Sequence, residues 1–180
     1  DRGGPAALPA PKGRVEFRDV SFKYVASGTG DDVLSHISFT VEPGKFVAIV
    51  GGTGTGKSSL VNLIPRFYDV TGGCVLVDGV DVRDYPLEEL RGRIGMVLQS
   101  NILFTGTIRE NLMWGRPDAT EEEMLQAARD AQAYEFIMAL PDGFDTQLTQ
   151  GGSNVSGGQK QRLCIARAML RKPSILILDD

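Results

Sequence analysis

Hydrophobic positions along the chain follow two rhythms, one near two residues and one near three to four. Val15, Phe17, Val20, Phe22 and Tyr24 recur at near-alternate spacing, which predicts a strand carrying a bulge. Val33–Val41 predicts a second strand, closed by Glu42-Pro43-Gly44. Phe46–Val50 is a continuous apolar run, the pattern of a strand buried on both faces, and a helix is expected from Lys57 to about Phe67. Cys74–Val82 alternates again, and Ile94–Leu98 predicts a short buried strand. Thr120 followed by Glu121, Glu122 and Glu123 has the form of a capping box and opens a helix to about Ala131. Ser156 is the expected N-cap of a helix through Leu170, stopped by Arg171-Lys172-Pro173. Ser174–Leu178 predicts a last buried strand. Strands alternating with helices through glycine-rich turns predict an α/β fold with a mainly parallel sheet.

Composition narrows this picture. Asp1–Gly13 contains Pro5, Pro9 and Pro11 with several Gly and Ala, and reads as a linker, while Ser27–Asp32 is a polar turn cluster. The 180 residues suffice for one domain with a real core. A net charge of -4 argues against a nucleic-acid partner, which would want a basic face. The two cysteines, Cys74 and Cys164, with no spaced Cys/His cluster, exclude a disulfide framework or structural zinc. The apolar runs fall far short of the ~20 residues a membrane span needs. The chain lacks an initial Met and a signal peptide, so it is expected to be a cytosolic piece of a longer protein.

The strongest chemistry lies in Gly51-Gly52-Thr53-Gly54-Thr55-Gly56-Lys57-Ser58, followed by Ser59, which fits G-x-x-x-x-G-K-[ST] between an expected strand and an expected helix. Glycines let such a loop turn tightly and aim successive N–H groups at phosphate oxygens. The helix start adds partial positive charge. Lys57 would reach the β/γ-phosphates, and the Ser58 hydroxyl would ligate Mg²⁺. This loop alone leaves kinases, GTPases and motor ATPases open.

Val155-Ser156-Gly157-Gly158-Gln159 separates them. It resembles the signature motif of ATP-binding cassette (ABC) ATPases, with Val where that family most often has Leu. Ser156, two glycine N–H groups and a helix start form a second anion site. Further stretches resemble the family over about Arg14 to Asp180. Tyr24 is similar to the aromatic that stacks on adenine. Gln99 resembles the glutamine that contacts Mg²⁺ and the attacking water. Ile175-Leu176-Ile177-Leu178-Asp179 resembles Walker B, whose Asp holds the Mg²⁺ shell, and Asn101–Asn111 is close to the exporter form of its segment.

The resemblance implies a P-loop NTPase (RecA-like) core with a mainly parallel sheet, an antiparallel β subdomain and a helical subdomain carrying the signature. It implies a linker from a membrane domain over 1–13 and a nucleotide-binding domain over 14–180, incomplete after the Walker B strand and inactive by itself. ATP and Mg²⁺ are the implied cofactors. Gly51–Ser59, Gln99 and Asp179 would build the site in cis, while Ser156, Gly157, Gly158 and Gln159 would complete that of a second nucleotide-binding domain in trans. Membrane helices upstream of residue 1 would place the domain at the cytoplasmic face of the membrane. Asp180 stands where the family usually has a Glu general base, and Thr146-Gln147-Leu148-Thr149-Gln150 has Gln where a carboxylate is typical. His36, the one histidine, sits too early to be the family's switch residue and is expected on a strand edge or surface.

The expected function is therefore the ATPase domain of an ABC exporter, with Lys57, Gln99 and Asp180 as catalytic candidates. One alternative is an ATP-holding, weakly hydrolytic half of a heterodimeric exporter, suggested by Asp180. A soluble ABC ATPase is weaker, because the exporter-like text at 101–111 speaks against it.

Overall fold

The computed structural model describes residues 7–24, 32–100 and 102–179. They fall into two compact units, residues 1–94 and 95–180.

The first unit is built on a four-stranded sheet. Its strands are β1 (Val15–Phe22), β2 (Leu34–Val41), β3 (Gly72–Val77) and β4 (Val80–Asp81), in spatial order β2-β1-β3-β4. Every pair is antiparallel, with Phe17 opposite Phe39 on one side and Val75 on the other. Phe17, Val20, Val75 and Val77 are buried, each contributing about 1.5–3 kcal/mol of apolar burial. The expected bulge in β1 is present: its register with both neighbours shifts after Phe17 and Arg18, and Asp19 adopts φ 49°. Gly73 (φ 69°) makes this possible, because a Cβ there would stand 2.3 Å from the carbonyl oxygens of Arg18 and Asp19.

His36 lies on β2 opposite this bulge, exposed as expected, with its Nδ1 2.7 Å from Asp19 Oδ1. The hydrogen bond to Asp19, then its negative charge, raises the pKa of His36 above the ordinary ~6.5. The sign follows: the stabilisation is complete below the unfolded pKa and is lost as pH rises through the higher folded one. Asp19→Asn should bring the His36 midpoint down, followed as the single imidazole titration in a proton NMR series.

The lead-in to β1 is fastened rather than loose over its described part. The Asp78 carboxylate, 3% exposed, accepts the N–H groups of Lys12 (3.3 Å), Gly13 (2.9 Å) and Arg14 (3.0 Å) and a guanidinium N–H of Arg93 (3.1 Å). The Asp78 N–H donates to the Arg14 carbonyl at 2.8 Å, and Arg93 donates to the Pro9 carbonyl at 2.7 Å. Arg93 also lies over the buried Tyr85 ring, whose hydroxyl donates to the Val77 carbonyl at 2.8 Å. Burial pushes the Tyr85 phenol up. Helix α1 (Lys57–Asn62) and helix α2 (Leu87–Gly92) complete the unit.

The second unit is mainly helical. It contains β5 (Ile94–Val97, starting at the boundary), β6 (Gly106–Thr107), α3 (Ile108–Met113), α4 (Glu121–Asp130), α5 (Tyr134–Met138), β7 (Gln147–Leu148), α6 (Gly157–Leu170) and β8 (Ile175–Leu178). Helices α3, α4 and α6 pack around Ile108, Leu112, Met124 and Leu163, all buried, with Val97 of β5 in the same cluster. Strand β5 pairs with β8, and β6 with β7. Capping boxes start three of the helices: Thr107 with Glu110, Thr120 with Glu123, and Ser156 with Gln159. The Thr120 box and the Ser156 N-cap fall where the sequence predicts them.

Four expectations are corrected. Phe46–Val50 forms no strand, and Phe46 and Val50 are each 92% exposed. An apolar run buried on both faces needs a partner on each side, and no described strand pairs with it. Accordingly, the described residues form no large, mainly parallel sheet: the largest sheet is antiparallel, and β5 pairs with β8 in a separate two-stranded one. Helix α1 stops at Asn62 rather than near Phe67, because Pro65 disfavours helix before it and Arg66 turns to φ 56°. The strand ending at Leu178 is buried on one face only, with Leu176 and Leu178 exposed, and Leu98 lies exposed beyond β5. Most of the Ser27–Asp32 cluster, Asn101 and Asp180 lie outside the described residues.

Candidate functional site

In the first unit, Gly51–Ser59 folds as a tight loop running into α1. Gly56, at the N-cap, has φ 87°, and a Cβ there would meet the Val33 carbonyl and the Leu34 side chain at 3.1 Å. Only glycine fits both the backbone and the space. The Lys57 ammonium turns back over the loop, donating to the carbonyls of Gly51 (2.5 Å) and Gly52 (2.8 Å). Thr55 braces the turn through its hydroxyl, which donates to the Gly52 carbonyl at 2.8 Å. The cation is thus held at the mouth of a loop whose residues Gly51–Thr55 and Ser58 are exposed.

Tyr24 belongs to this group. Its hydroxyl is 2.8 Å from Ser59 Oγ, and Ser59 is buried on α1. Its ring makes edge contacts with Phe22 (4.8 Å between centroids) and Tyr68 (5.1 Å). Tyr24 remains 37% exposed, enough to offer ring surface to a flat ligand. The sequence supplies no signal for Ser59 and Tyr68 as its neighbours, because both contacts join distant parts of the chain.

In the second unit, Asp179 follows β8 and its N–H donates to the Val97 carbonyl at 2.9 Å, at the end of β5. Gln99 is two residues beyond Val97 and exposed, so the carboxylate and the amide leave adjacent strands at the same end of the pair. The segment after Gln99 is pinned by two residues. Buried Asn111 accepts the Phe104 N–H (2.8 Å) and donates to the carbonyls of Phe104 (2.9 Å) and Thr107 (3.0 Å). Arg167 donates to the Ile102 carbonyl at 2.8 Å. Asn111 lies on the helix face that Ile108 and Leu112 bury, and a polar residue at helical spacing from two apolar ones is the sequence signal that could have identified it.

The signature stretch opens α6. Gln159 N–H donates to Ser156 Oγ at 3.2 Å, and Ser156 N–H donates to Gln159 Oε1 at 3.0 Å. Ser156, Gly157 and Gly158 are exposed, whereas Gln159 is half-buried by its capping role. Upstream, Gln147 and Leu148 pair with Gly106 and Thr107, and Asn154 ties Thr149 N–H (3.1 Å) to the Gln147 carbonyl (2.9 Å). Of the two glutamines in this stretch, Gln147 therefore sits in a short strand and Gln150 opens a short 3-10 turn. The sequence-predicted residues are brought together as two groups, Tyr24 with Gly51–Ser59 and Gln99 with Asp179, while the signature stands at its own helix start.

Comparison with known proteins gives a consistent result. Residues 34–180 match the family described as ABC transporter. The chain is 52% identical over 178 residues to "Putative multidrug export ATP-binding/permease protein YgaD" of Bacillus subtilis (strain 168). It is 49% identical over 177 residues to a protein of the same description from Staphylococcus aureus (strain NCTC 8325 / PS 47). In both cases 98% of this chain is covered, but only 30% of the relative. Among solved structures, a bacterial Atm1-family ABC exporter with ATP bound matches with a TM-score of 0.87 and 38% identity, over 98% of this chain and 30% of that one. The fold is that of an ABC ATPase.

Proposed function

The chain belongs to the ABC transporter family, and from that membership we propose that it is the ATP-binding, ATP-hydrolysing domain of a multidrug-type membrane exporter. The observation that carries this reading is the loop at 51–59, where Lys57 is poised over Gly51 and Gly52 beside the Ser59–Tyr24 pair. A fixed ammonium over a glycine-rich turn suits the β/γ-phosphates of a nucleoside triphosphate. Residues 14–180 make up the nucleotide-binding domain in this proposal, with 1–13 as its lead-in. The antiparallel sheet of the first unit is its β subdomain, and α3–α6 its helical subdomain.

Mg²⁺ fits the donors present, because the Ser58 hydroxyl, the Asp179 carboxylate and the Gln99 amide are hard oxygen ligands. When bound, it would neutralise charge on the terminal phosphates. Lys57 would hold the same phosphates, and Asp180 is the candidate base for the attacking water. Ser156–Gln159 would face the nucleotide of a second such domain, so the working unit is a pair. Membrane-spanning helices elsewhere in the same protein, on the pattern of the ATP-binding/permease relatives, would be its coupled partner at the cytoplasmic face. No helix among the described residues is long and apolar enough to cross a membrane.

The test uses the full-length protein in inverted vesicles. MgATP should drive uptake of a lipophilic cationic dye, and Asp179→Asn should remove at least about 100-fold of the hydrolysis, as expected when transition-state charge stabilisation is lost. Hydrolysis without uptake would favour the soluble ABC ATPase instead.

A further inference from the structure

The lead-in to β1 has no regular secondary structure over residues 8–14, yet Leu8 and Pro9 are half-buried and Gly13 is buried. Asp78 fastens it, and the four donors divide evenly between the two carboxylate oxygens. Oδ1 accepts the N–H groups of Gly13 (2.9 Å) and Arg14 (3.0 Å), whereas Oδ2 accepts those of Lys12 (3.3 Å) and Arg93 (3.1 Å). The second arm of the Arg93 fork reaches the Pro9 carbonyl at 2.7 Å, and its guanidinium rests over the buried Tyr85 ring. The β3–β4 turn itself does not need a carboxylate. Asp78 (φ 49°) and Gly79 (φ 82°) are its two central residues, and asparagine suits that backbone at least as well. Asparagine would keep the Oδ1 bonds but set an NH₂ against two donors in place of Oδ2. The carboxylate is therefore explained by Lys12 and Arg93, and not by the hairpin.

We infer that Asp78 and Arg93 are positioning residues for mechanical coupling: they make residues 9–12 a stiff extension of the β1–β3 sheet, so that movement of the nucleotide-binding part passes to the preceding chain. This rests on the exporter reading above, in which that chain leads from the membrane-spanning part. Four residues released from the clasp could straighten to about 13 Å. Slack of that length would absorb a displacement before any of it reached the membrane helices. Neither residue is among those proposed to hold the nucleotide, so the inference predicts a loss of transport without a loss of ATP binding.

The experiment uses the full-length protein in inverted vesicles and measures lipophilic cationic dye taken up per ATP hydrolysed. Asp78→Asn should lower that ratio at least about fivefold, the lower end of the usual coupling between distant sites. MgATP affinity should stay within about twofold of wild type. Hydrogen exchange should accelerate at Lys12 while β1 keeps its protection. Arg93→Lys keeps a positive charge beside Asp78 but lacks the forked second nitrogen, and should show the same loss of ratio. An unchanged ratio in either variant would overturn the inference, as would unchanged exchange at Lys12 or weakened MgATP affinity. So would hydrolysis and uptake falling in step, the result expected of a merely structural clasp. Wild-type protein that hydrolyses ATP without uptake would remove the exporter reading itself, and the inference with it.

Discussion

Lys57→Ala should lower MgATP affinity by at least about tenfold, equivalent to ~1.4 kcal/mol, and reduce hydrolysis with it. The ammonium is already placed by two loop carbonyls at 2.5 and 2.8 Å, so its orientation does not have to be organised by the ligand. Without it, the terminal phosphates would rely on backbone dipoles and Mg²⁺ alone. Lys57→Arg keeps the charge but replaces a compact ammonium with a planar fork, too broad for the two-carbonyl seat, and should recover little. Titration with a fluorescent ATP analogue reads both variants. Unchanged affinity in Lys57→Ala would remove the loop from the nucleotide site.

The largest effect on stability should come from Asp78→Ala. It removes the acceptor of one buried Arg93 guanidinium N–H and of three backbone N–H groups at once, and breaking such a pair from one side costs about 3–5 kcal/mol. Asp78→Asn retains one carbonyl acceptor and should lose less. Urea denaturation followed by circular dichroism measures the total. Hydrogen exchange adds a local signature, since the amides of Lys12, Gly13 and Arg14 should accelerate before the sheet does. A loss below about 1 kcal/mol in Asp78→Ala would show that water satisfies these groups.

What the sequence made legible was local. The capping box at Thr120 and the N-cap at Ser156 were readable because the groups involved lie within one helical turn. The bulge in β1 was readable from a slipped alternation between Phe17 and Val20. The loop at 51–58 was readable because its glycines serve conformations demanded by backbone sterics, as at Gly56. Features decided by distant neighbours were not. Phe46–Val50 has the composition of a buried strand, but strand structure depends on a partner the run itself cannot specify. The Asp78–Arg93 clasp, the ring at Tyr68 and the tether at Ser59 are long-range pairings with no periodicity to announce them. Candidate site residues could therefore be named from motifs, while the contacts that orient them could not.

The start of α6 separates two demands usually met together. Ser156 Oγ accepts the Gln159 N–H, which uses its lone pair toward the helix and leaves its own proton to be donated outward. One atom is an acceptor for its own fold and, in the proposed function, a donor for an approaching anion. Aspartate would satisfy the first role as well as serine, being among the best N-cap residues, yet would present a negative charge in the second. Helix stability thus sets no preference between the two residues at this position. On the proposed function, a requirement for serine here would come from the phosphate of a partner domain's nucleotide, making position 156 a place where selection for nucleotide handling could be told apart from selection for folding.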